Sequence, residues 1–313
     1  MVSLVIRFAF STPRWMKLIV ILPVFLLSGI YANAEQGEHI IITISPNSQF
    51  QLDTAAAIRK NLEAIDIRAS IISTENINAS PAYANTAYIL IGNAAASAYK
   101  AHEVDAPVLF ISNKKLQNTR FTSAKANLVL EQPVCRDVPL IKAMDQDWES
   151  IAFLSSINSI ERASDLTRCA IEYGFDIQVY AITNDTDLLK TLEMAIEDND
   201  VLLAVADPLI YNSRTVKNIL LTSYRRRKPV IGYSDNFVDA GAIAAVYTSA
   251  NSAGERAAQI ISDFIDNNWQ FKSKVYYPTD FSVRTNYQVA KSLGISLPDD
   301  ETLHNKIMVM EHK

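Results

Sequence analysis

The run VLLAVADP at 201–208 places a carboxylate, Asp207, where an apolar segment breaks at a proline. An acid at the C-terminal end of a strand can hold a ligand ammonium through a charge-assisted hydrogen bond, or it can cap the helix that follows. Gly92-Asn93-Ala94 lies between the run AYILIG and a helical stretch. Free backbone N–H groups at such a helix start favour an anion such as a carboxylate, and capping by the Asn93 side chain is the competing role. Ser45-Pro46-Asn47, Ser112-Asn113 and Ser234-Asp235 each close another apolar run. Their hydroxyl and carboxylate groups suit hydrogen bonding to a small polar molecule, and equally suit ordinary turn chemistry. Tyr211, Tyr233 and Phe237 can cover an apolar ligand or pack in a core. The candidate ligand-binding set is therefore Ser45, Asn93, Ala94, Ser112, Asp207, Tyr211, Ser234 and Asp235.

These are groups that bind rather than make or break bonds. The chain has no GxSxG, Walker loop, GxGxxG or HExxH. Its four histidines, His39, His102, His304 and His312, are scattered, so neither a zinc site nor a histidine-activated nucleophile is expected. Only eight glycines occur, which leaves little room for a phosphate-cradling loop. No cofactor is expected. Cys135 and Cys169 are the two cysteines; in an oxidising compartment they can pair, and as buried thiols they can simply fill space.

The elements that must position the binding groups alternate. Short apolar runs at 39–45, 67–72, 87–92, 107–112 and 128–130 read as strands, with a helix after Ser45-Pro46-Asn47 to about Ala64 and another over 93–100. A second series follows, with strands at 151–155, 177–181, 201–206, 229–233 and 243–247 and helices between them. Gly174 and Gly294 read as helix C-terminal caps, and Ser252-x-x-Glu255 reads as a capping box. Continuous apolar strands alternating with helices signal parallel sheets covered on both faces. The expected fold is α/β, with two Rossmann-like lobes joined by a multi-strand hinge. The expected division is an N-terminal lobe over 35–132 with a return at about 270–298, a C-terminal lobe over 133–269, and a tail over 299–313. Crossings between lobes are expected near 131–139, 249–251 and 271–281.

Residues 1–34 read as a secretory signal peptide. Arg7, Arg14 and Lys17 precede a 13-residue apolar run, Leu18 to Ile30, and the small-x-small signal Ala32-Asn33-Ala34. That run is shorter than the roughly 20 residues that span a bilayer. Met16 offers an alternative start, and no cysteine follows the run for lipid attachment. Removing three basic and no acidic residues takes the formal charge from −5 to −8. An acidic chain argues against nucleic acid and against docking on anionic lipid. The expected location is the periplasm, without stable membrane insertion after cleavage.

The second series carries a resemblance. Asp207-Pro208, Pro229-Val230-Ile231, Ser234, Phe237 and Asp239-Ala240-Gly241, followed by Asn286, Ala290, Leu293-Gly294 and Pro298, resemble in order and spacing the substrate-binding proteins of ABC transporters of the tryptophan/tyrosine type. The resemblance covers about residues 148–298. In the first lobe Asn93 stands where that family has Thr or Ser, and its Pro-Gly-Gly-Asn-type segment is replaced by residues 119–136. The resemblance implies a type I periplasmic-binding fold and a small amino-acid-like or other small organic ligand held in the interlobe cleft. It implies an inner-membrane permease as partner, with Asp207 holding the ligand's cation and the helix start at Asn93 its carboxylate. A sensor or interaction module without a transport role is the alternative. Arg225 to Lys228 complement a helix dipole or offer a docking patch for a permease.

Overall fold

A computed structural model of the chain describes residues 39–79, 85–102, 106–113, 125–144, 147–184 and 186–312. The proposed signal peptide and both alternative starts lie outside them. The first series runs β1 (His39–Ile44), α1 (Gln49–Glu63), β2 (Arg68–Ser73), β3 (Thr86–Ile91), α2 (Asn93–Ala101), β4 (Val108–Ser112) and β5 (Lys125–Val129). After a crossing come α3 (Asp137–Ala143), β6 (Ser150–Ser155), α4 (Glu161–Glu172), β7 (Asp176–Ala181), α5 (Leu188–Asp198), β8 (Val201–Leu203), α6 (Val216–Arg225), β9 (Val230–Gly232), α7 (Asp235–Ala240) and β10 (Ala244–Tyr247). The chain ends with α8 (Ala250–Asp266), β11 (Val275–Tyr276), β12 (Ser282–Thr285), α9 (Tyr287–Leu293) and α10 (Asp300–Glu311).

Two six-stranded sheets result, ordered β11-β5-β4-β3-β1-β2 and β12-β10-β9-β8-β6-β7. Every pairing is parallel except that of β10 with β12. The period of two along each strand divides its side chains between two apolar layers. In β6, Ile151 and Phe153 pack with Val138 and Leu166, while Ala152 and Leu154 pack with Leu192 and Ile219. In β1, Ile40 and Ile42 pack with Ile58 and Leu62, while Ile41 meets Tyr88, Tyr99 and Phe110. This is the expected two-lobed α/β fold.

The lobe boundaries need correcting. Helix α8 falls within 133–269, the stretch expected as the C-terminal lobe, but Ala257, Ile260, Ile261 and Phe264 lie in the core of the first sheet beside Ile58 and Leu62. Its amphipathic face is local information; which sheet it covers depends on where the chain crosses. Within 270–298 only β11 joins the first sheet, because β12 pairs with β10. The tail 299–313 is largely the helix α10, whose Leu303 and Ile307 are buried in the second lobe. Helix α8 also starts earlier than expected, with Ser249 as its cap and Ser252 donating its backbone N–H to the Ser249 hydroxyl at 3.1 Å. Helices α1 and α8 approach closely because Gly254 has no side chain; a Cβ there would fall 2.4 Å from the Ala57 Cβ. Cys135 and Cys169 form a disulfide, with Cα atoms 5.5 Å apart, pinning the start of the second lobe to α4.

Candidate functional site

Three links bring the C-terminal ends of the two sheets together. The Thr248 hydroxyl, just past β10, donates to Leu130 O, just past β5, at 2.6 Å. Gln132 Nε2 donates to that same hydroxyl at 2.6 Å. Glu131 forms an ion pair with Arg162 at the start of α4. The C-terminal ends of both sets of parallel strands thus meet at this seam, and strand C-terminal ends are where ligands sit in open α/β sheets.

On the first lobe, β4, β3 and β1 are neighbours, so Ser112, Gly92 and Ser45 line one edge. Ser45 N donates to Gln51 Oε1 at 2.8 Å. Gly92 adopts φ 85°, and a Cβ on it would lie 2.7 Å from Gln51 Nε2. The positive φ favours glycine, and a Cβ there would displace the Gln51 side-chain end. Asn93 is the first residue of α2 and is exposed, as is Ala94. The capping role weighed for Asn93 is not taken: Gly92 occupies the cap position, without a side-chain cap bond. Ser112 Oγ accepts from Asn127 Nδ2 at 3.2 Å. Gln51 was not among the expected residues; nothing in a helical glutamine marks it from sequence.

On the second lobe, β9, β8 and β6 are neighbours. Asp207 follows β8 and is 1 % exposed. Its Oδ2 accepts from Ser156 Oγ at 2.6 Å, Ser159 Oγ at 2.5 Å and Ser156 N at 3.3 Å, and its Oδ1 accepts from Leu209 N at 3.0 Å. Burial works to raise its pKa, but the bonds from Ser156, Ser159 and Leu209 outweigh it and hold the carboxyl below the usual range. Asp207 is therefore a buried anion held by neutral donors, and it ties the loop after β6 to the turn after β8. Ser156 and Ser159 were not expected. Their signal was the serine-rich FLSSINS at the end of β6, distant in sequence from Asp207.

Tyr211 and Phe237 are buried, and Tyr233 is half-buried beside them, with ring centroids 4.9 to 6.2 Å apart. Tyr211 Oη has no hydrogen-bond partner among the described residues. Burial, then Tyr233 and the Asp207 charge, push its hydroxyl well above the ordinary phenol range. Burial likewise raises Tyr233, with Asp207 and Glu131 adding to it. Ser234 caps α7, accepting from Phe237 N at 3.2 Å, so its turn role is filled. Asp235 Oδ1 accepts from Asn236 N at 2.8 Å. The loop after β6 also carries Ile157, 82 % exposed.

Ser156 and Ser159 beside Asp207 are not an activated pair. A carboxylate held below its ordinary pKa is a weak base, and the structure puts His304 elsewhere, against Asp280. Among the described residues no group of three His, Cys, Asp or Glu is placed to hold a metal ion, and no helix is long and apolar enough to cross a membrane.

Residues 47–306 match the family described as ABC transporter substrate binding protein. No curated protein matches the chain. Among solved structures it is similar to a substrate binding protein with adhesive properties from Clostridium difficile, in a ligand-free, open structure, at 17 % identity and TM-score 0.66, covering 85 % of this chain and 97 % of that one. It is similar to an ABC domain in complex with L-Trp from Streptococcus pneumoniae, at 16 % identity and TM-score 0.58, covering 84 % and 96 %. A conserved domain protein from Vibrio cholerae gives 16 % and 0.58, covering 86 % and 98 %. The fold they share with this chain is the type I periplasmic-binding fold.

Proposed function

Because the chain belongs to the family of ABC transporter substrate binding proteins, we propose that it is the periplasmic solute-capturing component of such a transporter, taking a small amino-acid-like or other small organic molecule into the interlobe cleft and presenting it to an inner-membrane permease. The observation that carries this reading is the facing of two strand-end edges across the Thr248–Leu130 seam, one of them floored by a buried carboxylate that has no cation against it among the described residues. A buried anion without a counter-charge draws a ligand cation toward the strand ends of the second lobe. On the opposite edge the exposed start of α2, at Asn93 and Ala94, supplies backbone N–H groups for a carboxylate. Ser45, Ser112, Ser234 and Asp235 complete the polar lining, and Tyr211 with Tyr233 forms an aromatic wall. Closure about the three crossings then shields the ligand from water.

The test is thermal unfolding of the purified protein against amino acids, nucleosides, sugars and small carboxylates. A ligand at 100 times its dissociation constant adds about 2.7 kcal/mol of stability. A shift confined to one chemical class supports solute capture and names the class. A folded protein that responds to none of them overturns it in favour of a sensor or interaction module.

A further inference from the structure

The edge of the second sheet opposite the cleft carries exposed charges in two adjoining blocks, with Asp200 and Lys228 between them. At the N-terminal ends of β7, β6 and β8 stand Asp176, Glu149 and Asp198, all exposed. At the start of the neighbouring β9 stand Arg225, Arg226 and Arg227, also exposed. None of these six side chains has an ion pair among the described residues. The register fixes their order: Asp176 lies opposite Ser150, Asp200 N donates to Ser150 O, and Lys228 Nζ donates to Asn199 O at 2.7 Å. Three strand spacings separate β7 from β9, about 14 Å. From Asp176 that exceeds the screening length of about 8 Å at physiological salt; Asp198, at β8, is one strand spacing of about 5 Å from β9, yet it too makes no ion pair with the arginines among the described residues.

The arginine block exceeds what its helix needs. One cation in the last turn of α6 answers the helix dipole. Arg227 also occupies the left-handed position after the helix, φ 57°, where Lys228 N bonds back to Ser223 O at 2.9 Å. Glycine is the ordinary residue there, because a Cβ costs free energy.

We propose that this edge docks a second copy of the chain across a two-fold axis, the arginine block of each copy lying against the acidic block of the other. A two-fold interface must be self-complementary, and a surface with side-by-side blocks of opposite sign meets that condition when one copy is turned through half a rotation. The clefts lie at the opposite ends of the sheets, so both stay open to ligand, and this inference is independent of the ligand reading. The attraction is between exposed charges and is therefore weak and salt-sensitive.

Sedimentation velocity of the full protein in about 10 mM and about 500 mM salt tests it. Dimerisation is expected in low salt, with the association constant falling at least about tenfold in high salt. Two charge-reversed proteins, R225E/R226E/R227E and E149K/D176K/D198K, are each expected to stay monomeric, and their equimolar mixture to associate. Because all six residues are exposed, both should keep the parent unfolding temperature; R225Q/R226Q/R227Q serves in place of the glutamate variant if that one does not. Arg227→Gly should raise the unfolding temperature while weakening the dimer. A wild-type protein that is monomeric in low salt, a dimer that survives either reversal, or a mixture that does not associate overturns the proposal.

Discussion

Removing the Asp207 carboxylate is the most informative single change in the second lobe. Asp207→Ala leaves four donors without their acceptor: the Ser156 and Ser159 hydroxyls and the backbone N–H groups of Ser156 and Leu209. Hydrogen bonds to a charged group contribute about 1.5–3 kcal/mol each. The hydroxyls can turn to one another or to Ser155, whose Oγ lies 3.5 Å from that of Ser159, and recover part of the loss. The two amides cannot turn. A net destabilisation of about 3–5 kcal/mol follows, among the larger single-residue effects. Urea unfolding measures it directly. The pH dependence has a fixed sign. The folded pKa lies below the ordinary value, so the contribution is complete above the unfolded carboxyl pKa of about 3.9 and is lost as pH falls through the folded one. The gap between wild type and variant should therefore be constant from neutral pH to about 5 and shrink below about 4. A gap under about 1 kcal/mol, or one that does not narrow in acid, would refute the picture of a buried anion held by these four bonds.

Asp137 should behave in the opposite sense. Its carboxyl is buried, and burial, with the nearby Glu131 charge adding to it, outweighs Arg162 and Arg136 and raises its pKa well above the ordinary range. Stability from its neutral form is complete below the unfolded pKa and lost as pH rises through the folded one, so Asp137→Asn should stabilise the protein at pH 7 and have no such effect at pH 3, by thermal unfolding at both pH values. Gly254→Ala places a Cβ 2.4 Å from that of Ala57, and chemical denaturation should show a loss of about 1–3 kcal/mol. Cys135→Ser with Cys169→Ser opens a loop with a sequence separation of 34 and should cost about 2–4 kcal/mol, read against the oxidised parent under the same conditions.

The parallel lobes were legible because buried parallel strands announce themselves. HIIITI, AYILI and VLFIS are continuous apolar runs, and each is a strand. Gly174 and Gly294 were readable as helix ends because each takes the positive φ that glycine allows. The allocation of α8 was not legible, since its apolar face would cover either sheet and only the chain crossing after β10 decides. β11 and β12 are too short for a period to register, and α10 has a weakly segregated apolar face. Within the site, Asp207 stood out as a strand-end acid before proline. Its partners Ser156 and Ser159 lie 51 and 48 residues away, and no local pattern links a serine pair to a distant carboxylate. Asn93 misled in one respect: its type fits a cap, yet the positive φ of Gly92 puts glycine in that position.

Solute capture in the interlobe cleft is tested most directly by the distance between its two rims. Spin labels at Asn113, just past β4, and Asn236, in α7, occupy exposed positions at the cleft edges of opposite lobes. With the molecule identified by the stability screen at saturation, pulsed spin-resonance distances should shorten and narrow, and with an unrelated solute they should not move. A molecule that binds and stabilises the protein while this distance stays unchanged would contradict capture between the lobes.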